Sequence, residues 1–452
     1  MAQLGGHALV IGASMGGLLA ARALADLYGT VTIVERDEFP LGPEPRKGVP
    51  QGKHAHGLLA KGREVLEQLF PGFTEEMTGQ GATSSDIVSQ CLWFNHGYYL
   101  CKAPSGLIGI TMSRPLLEDV VRRRVAGLPN IRFRERCEAL EPVFDWTRGR
   151  VTGVRVQARG GVDGTEILNA DLVVDASGRS SRSPAWLETM GYAKPAEEQI
   201  EVGINYMTRL YRREPQHLPG TDAVVMAGCK PGWRGGALIS LEGKRWLLSL
   251  SGYMGDRIPS DDSGFLEYAR SLPKPEIYNV IKNAEALTAP TPYHFKANLR
   301  RRYDRLTRFP EGYLVFGDAI SSFNPIYGQG MTVACMEALA LRQSLAAGPQ
   351  KLAHRFFKRA SHLVDTPWQI AGGSDLQHPL VKGKRTAHVR FINWYVAKLY
   401  RAAQNDAVLA TAFIKVANLM HPPEALFQPA NVWRVWKGNR TASQRERRAG
   451  AI

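Results

Sequence analysis

Apolar and polar positions follow three regimes along the chain. The first begins with a short buried-strand pattern, His7-Ala8-Leu9-Val10-Ile11-Gly12. It passes a glycine-rich turn and enters Leu18 to Gly29, where apolar residues recur at helical spacing and a glycine closes the stretch. Val31-Thr32-Ile33-Val34-Glu35 reads as a second strand. Strand, glycine turn, helix and strand within about thirty residues predict the opening of a doubly wound α/β domain. Strand patterns return at 150–158 and 165–177, with turns at 149–153 and at 160–164 (GGVDG), and again at 312–319. In the second regime, 200–252, four short runs rich in β-branched and aromatic residues are separated by Gly and Pro, which predicts an antiparallel sheet. From about residue 331 the pattern is helical, and 440–452 reads as a frayed tail.

Composition narrows the class. With 452 residues the chain has room for about two or three domains. No apolar run approaches the ~18 residues that span a bilayer, and the amino terminus lacks a secretory pattern, so a cytoplasmic protein is expected. Cys91, Cys101, Cys137, Cys229 and Cys335 form no CxxC pair, which predicts reduced thiols and no zinc site. The formal charge is +15. Its clusters, at 122–124, at 300–308 and in the tail, lack the spacing of a nucleic-acid-binding module, so no nucleic-acid partner is expected.

Three constellations carry chemistry. Gly12-Ala13-Ser14-Met15-Gly16-Gly17 stands where a dinucleotide fingerprint would be, with Ser14 in place of the middle glycine. A helix amino terminus there offers free N–H groups to a pyrophosphate. Glu35, 23 residues after Gly12, suits the adenosine ribose hydroxyls and disfavours a 2′-phosphate. The second constellation is Gly317-Asp318, followed by Asn324-Pro325 and by Gly328-Gln329-Gly330-Met331 opening a helix. Its acid can hold a ribityl chain and its helix amino terminus can face a flavin carbonyl. The third, Asp175-Ala176-Ser177-Gly178-Arg179, ends another apolar strand.

In this order the motifs resemble those of the group A flavoprotein monooxygenases, the family of para-hydroxybenzoate hydroxylase and squalene epoxidase. Arg46-Lys47-Gly48-Val49-Pro50-Gln51 and its continuation to His56, together with 301–331, look like bacterial polyether-pathway alkene epoxidases. The resemblance implies an α/β fold: a Rossmann-like FAD-binding domain of the GR2 type, an inserted antiparallel substrate sheet and a helical C-terminal region. The flavin domain would comprise 1–75, 103–185 and 298–365, the substrate domain 76–102 and 186–297, and the helical region 366–452. The implied cofactor is FAD, with NADPH or NADH as transient reductant, or else a separate flavin reductase. Gly12, Ser14, Met15, Gly16 and Gly17 would approach the pyrophosphate, and Glu35 with Arg36 the adenosine ribose. Arg46, Lys47, Gly48 and Arg114 would contact the cofactor, the Cys137 backbone would meet adenine, and Asp175 and Gly178 belong to the DG motif. Gly317 and Asp318 would hold the ribityl chain, and Pro325, Gly328, Gln329, Gly330 and Met331 would line the ring.

The implied reaction inserts one oxygen atom from O2, through a flavin C4a-hydroperoxide, into a hydrophobic polyketide- or terpenoid-like substrate, by epoxidation or hydroxylation. No acid, base or nucleophile is then obligatory, and catalytic residues stay unassigned. A prenyl reductase of the geranylgeranyl type shares the scaffold. A flavin-dependent halogenase fits less well, because WxWxIP is absent and Trp433-Arg434-Val435-Trp436 lacks its Ile-Pro. His54 and His56 read as loop residues near the flavin, with no metal expected. Trp93, Phe94, Tyr98 and Tyr99 suit a substrate pocket or plain core equally. Phe391 to Ala403 is expected to pack on the body rather than lie on a lipid surface, so membrane association is not expected.

Overall fold

The computed structural model describes residues 3–159, 164–228 and 232–449, so Cys229 and most of the 160–164 turn lie outside the described residues. Five parallel strands form the central sheet, in the order Tyr313–Val315, Leu172–Asp175, Gly5–Ile11, Tyr28–Val34 and Ile131–Arg134. Ala8, Leu9, Val10, Val173 and Val174 are inaccessible to solvent, as expected of strands covered on both faces. Leu18, Leu19 and Leu24 of helix Met15–Ala25, Val120 of helix Arg114–Ala126 and Leu341 of helix Gly330–Ala346 share this core. Val151, Val154 and Val156 of a three-stranded antiparallel sheet complete it. That sheet takes Arg150–Ala158 as its middle strand, so only Gly149 of the expected 149–153 turn remains a turn. Gly29 does not cap the first helix. The helix stops at Ala25, and Gly29 enters the strand Tyr28–Val34.

The second layer is an eight-stranded sheet, built from 321–322, Thr291–Arg301, Glu197–Arg212, Arg245–Gly252, Gly235–Leu241, Ala223–Met226, Cys91–Asn95 and 98–99. It is antiparallel except where Ala223–Met226 runs parallel to Cys91–Asn95. Helices Asp262–Arg270 and Glu276–Ile281 cover one face, packing Phe265 and Ile277 on Trp246, Leu248 and Leu250. Segment 76–102 divides. Thr83–Asp86 pairs with Ile108–Thr111, while Cys91–Asn95 joins the large sheet, where Phe94 is core.

The helix Leu352–Asp375 runs unbroken across the expected boundary at 366, with Pro367 buried inside it. Helices Ala387–Ala403, Ala407–Ala417 and Pro429–Ala449 follow, opened by caps from Thr386 and Asp406 in the first two. The expected frayed tail is helical to Ala449, because Val435 and Gly438 seat that helix on Ala387–Ala403. Among the described residues no helix is long and apolar enough to cross a membrane, and no group of three potential ligands gathers for a metal.

The glycine turn sets one steric limit. A Cβ on Gly17 would stand 1.7 Å from the Gly12 carbonyl oxygen, whereas one on Gly42 would meet nothing within 4 Å. Gly17→Ala is therefore expected to lower stability by about 1–3 kcal/mol in urea unfolding, with Gly42→Ala as the control. Coincident unfolding curves for the two variants would contradict this packing.

Candidate functional site

Strand Gly5–Ile11 has Tyr28–Val34 on one side and Leu172–Asp175 on the other, so the chain leaves it in opposite directions and a crevice opens beyond its carboxyl end. Gly12 turns there with φ +95°, and a side chain on it would stand 2.9 Å from the Ala176 carbonyl oxygen. Ser14 occupies the N-cap of helix Met15–Ala25 but makes no capping bond. Its hydroxyl accepts from Arg114 Nη2 at 2.7 Å and donates to Glu118 Oε2 at 3.0 Å. The first-turn N–H groups of that helix are thereby left without a side-chain cap, which is the physical basis of an anion site.

Behind the turn lies a buried ion cluster. Arg46 Nη1 meets Glu35 at 3.1 Å and Asp37 at 3.2 Å, and its Nε donates to Glu118 at 2.7 Å. Arg114 Nη2 meets the other Glu118 oxygen at 3.0 Å. Glu35 also accepts the Ala13 N–H at 2.8 Å, and Asp37 accepts the Gly48 N–H at 2.6 Å. Burial pushes the Glu118 carboxyl up, but Arg114 and Arg46 pull it below the usual carboxylate range. Sequence reasoning passed over Asp37 and Glu118. The only signal for Glu118 was its place one helical turn after Arg114. Arg46 Nη2 and Arg114 Nε remain buried without partners.

The opposite wall carries Asp318, which solvent reaches although protein surrounds it closely, so it floors a cleft. Burial raises its carboxyl, and Arg114 and Arg179 oppose that rise. Gly317 and Gly328 adopt φ +68° and +65°, and no side-chain cap closes the helix Gly330–Ala346. Gln329 Oε1 and Thr332 Oγ1 are buried beside it without partners. Asp175 of the DG motif is turned inward. It is inaccessible and accepts from the Ser177 N–H and the Ser181 and Ser183 hydroxyls, so it anchors its turn instead of facing the crevice. Arg179 of the same motif does reach the cleft, donating to the Ala297 carbonyl and to Ser322, with its guanidinium 4.9 Å from the Phe295 ring centroid. Arg36 and Lys47 are exposed at the rim, and the Cys137 N–H donates to the Glu35 carbonyl.

Two histidines enter from the 46–56 loop. His54 Nδ1 contacts Thr208 at 2.8 Å, and its ring lies 4.9 Å from that of Tyr293. Burial, then Lys53, pushes it down to about 4. His56 Nδ1 donates to the His54 carbonyl, and burial and Arg114 push it to about 3. Both are neutral near pH 7.

Two buried carboxyls were not foreseen. Asp375 accepts from Asn298 at 2.7 Å, Asn324 at 2.9 Å, Tyr327 at 2.9 Å and Tyr253 at 3.2 Å, fastening the 324–328 turn to the end of helix Leu352–Asp375. Burial raises it to about 6 against the pull of those donors. Glu337 accepts the Gly317 N–H at 2.7 Å, and its other oxygen has no partner. Burial pushes it up to about 8, with the Gly317 N–H opposing and Asp318 adding to the rise. Its folded form keeps a proton that the unfolded chain releases, so this group makes stability fall as pH rises from about 4.5 to about 8. Glu337→Gln, which keeps an acceptor for Gly317, should flatten that part of the melting-temperature profile. An unchanged profile would show that Glu337 does not hold the proton.

No family model matches the chain. The chain is similar in fold to the flavin-dependent brominase Bmp2, at 15% identity and TM-score 0.67, over 98% of this chain and 100% of that one. A flavoprotein/dehydrogenase from Cytophaga hutchinsonii gives 13% and 0.69 over the same shares. The p-nitrophenol 4-monooxygenase PnpA of Pseudomonas putida gives 14% and 0.65, over 92% and 99%. The architecture is thus that of the flavoprotein monooxygenase fold. At the level of sequence, Protein Rv3254 of Mycobacterium tuberculosis is 34% identical over 431 residues, covering 92% of this chain and 90% of that protein, and this chain belongs to its family.

Proposed function

We propose that this protein is an FAD-dependent monooxygenase, reduced by NADPH or NADH, that places one oxygen atom of O2 into a hydrophobic polyketide- or terpenoid-like substrate by epoxidation or hydroxylation. The crevice at the sheet's switch point carries this reading. It joins an uncapped helix amino terminus, two glycine turns with positive φ and unpartnered buried donors and acceptors from Arg46, Arg114, Gln329 and Thr332. A pyrophosphate, a ribityl chain and a flavin ring together need such a mixture, and an apolar ligand does not.

The 15–17 amides and Arg114 would hold the pyrophosphate, Glu35 the ribose and Asp318 the ribityl hydroxyls, with 325–331 against the ring. Bound there, FAD supplies O2 activation and an electrophilic oxygen. The chain's own work is positional. Tyr293 and Phe295 on the large sheet, and the 324–328 turn held by Asp375, would flank the space beside Asp318 and, with the cofactor and substrate in place, keep water out. His54 and His56 stay uncharged, so neither adds a cation beside an apolar substrate.

Asp318→Ala should weaken FAD binding about 10- to 100-fold in a fluorescence titration, the worth of a lost charge-assisted hydrogen bond. Unchanged affinity would remove Asp318 from the site. With ¹⁸O2 and candidate alkenes, one labelled oxygen should appear in product. Label from water alone would refute oxygenation, and anaerobic gain of two hydrogens would assign a prenyl reductase instead. The fold likeness to a brominase favours halogenation as a second reading, for which halide-dependent product is the discriminating outcome.

A further inference from the structure

The positive charge is unevenly held. Residues 376–452 contain thirteen Lys and Arg against three Asp and Glu, a surplus of ten out of the chain's fifteen. Within it Lys382 pairs with Glu201 and Arg434 with Asp406, while in the crevice Arg46 and Arg114 are matched by Glu35, Asp37 and Glu118.

The same region exposes aromatic side chains. Helix Pro429–Ala449 buries Asn431 and Val435 but leaves Trp433 and Trp436 more than half exposed, at 55% and 57%. Lys437 Nζ lies 4.9 Å from the Trp433 ring centroid, and the Arg440 guanidinium 5.4 Å from that of Trp436. Helix Ala387–Ala403 packs against it, burying Tyr395, Leu399 and Tyr400. One turn before Tyr395, Phe391 stacks on Phe427 yet stays 51% exposed, and Trp394 is 57% exposed, beside the exposed Arg390. Seven of the ten exposed large apolar side chains among the described residues lie in this region.

Water exposure of four large rings is unfavourable unless something covers them. A second copy would bring like charges, Lys437 and Arg440 among them, to the same face. Indole rings settle at the boundary between hydrocarbon and headgroups, and adjacent cations gain from anionic lipid phosphates.

We propose that the exposed faces of helices Ala387–Ala403 and Pro429–Ala449 seat the protein on the surface of an anionic lipid bilayer, without crossing it. This rests on residues outside the crevice and is independent of the chemistry there.

The test floats the full chain with vesicles of phosphatidylcholine alone, or of phosphatidylcholine and phosphatidylglycerol in equal parts, while following tryptophan emission. Flotation and a blue shift are expected with the anionic vesicles only, and both should fade as salt rises. Lys437→Gln and Arg440→Gln should each weaken binding about fivefold. The pair Trp433→Ser and Trp436→Ser should weaken it at least about tenfold while leaving the melting temperature unchanged. No flotation, equal flotation with neutral vesicles, or a salt-sensitive DNA complex in place of vesicle binding would overturn the proposal. So would a lipid-free dimer that the tryptophan substitutions dissolve.

Discussion

Three carboxylates and two arginines can share the interior of this protein only because they are buried together. Taking any one of these charges out of water costs several kcal/mol, and removing a single partner strands the rest at about 3–5 kcal/mol. Glu118 therefore fixes the geometry of four segments at once: the glycine turn through Ser14, the second strand's end through Arg46 and Glu35, the 37–48 loop through Asp37, and its own helix through Arg114. The acids of this cluster outnumber its bases by one, which has a further effect. The arginines contribute little net field to the crevice, so attraction for a phosphate falls to the helix amino terminus and the N–H groups that the cluster leaves unpaired.

The opposite wall is set by burial rather than by pairing. Asp318, Glu337 and Asp375 have no arginine at hydrogen-bond distance, and in all three desolvation outweighs every stabilising contact. One side of the crevice thus holds its charges fixed by pairing, while on the other desolvation raises the proton affinity of the carboxyls. A ligand entering between them displaces water from the second wall.

Much of this was legible in the chain itself, where local chemistry and tertiary position coincide. Gly12, Glu35, Arg114, Asp318 and the Gly328–Gly330 turn could be read because a strand-end turn and a helix opening each leave a pattern within a few residues. Asp37, Glu118, Glu337 and Asp375 could not, since an isolated acid in a helix or loop looks like a solvated face until partners arrive from other elements, as Gly317 does for Glu337 and Arg46 for Glu118. Asp175 shows the converse: its motif was visible, but the three serine contacts that turn it inward were not. Gly29 and the tail were misjudged where tertiary packing overrode a local breaker signal.

The unbroken helix from Leu352 to Asp375 bears on how this protein can be divided. Its first half packs Phe356 and Phe357 into the core of the parallel sheet, and its last residue grips the 324–328 turn together with Asn298 of the large sheet. The helical region is for that reason not a detachable module. A chimera joined anywhere between 352 and 375 would trade away the acceptor that shapes the opposite end of the crevice, and one joined just beyond it would split Leu376, His378 and Val381 from their partners on the large sheet.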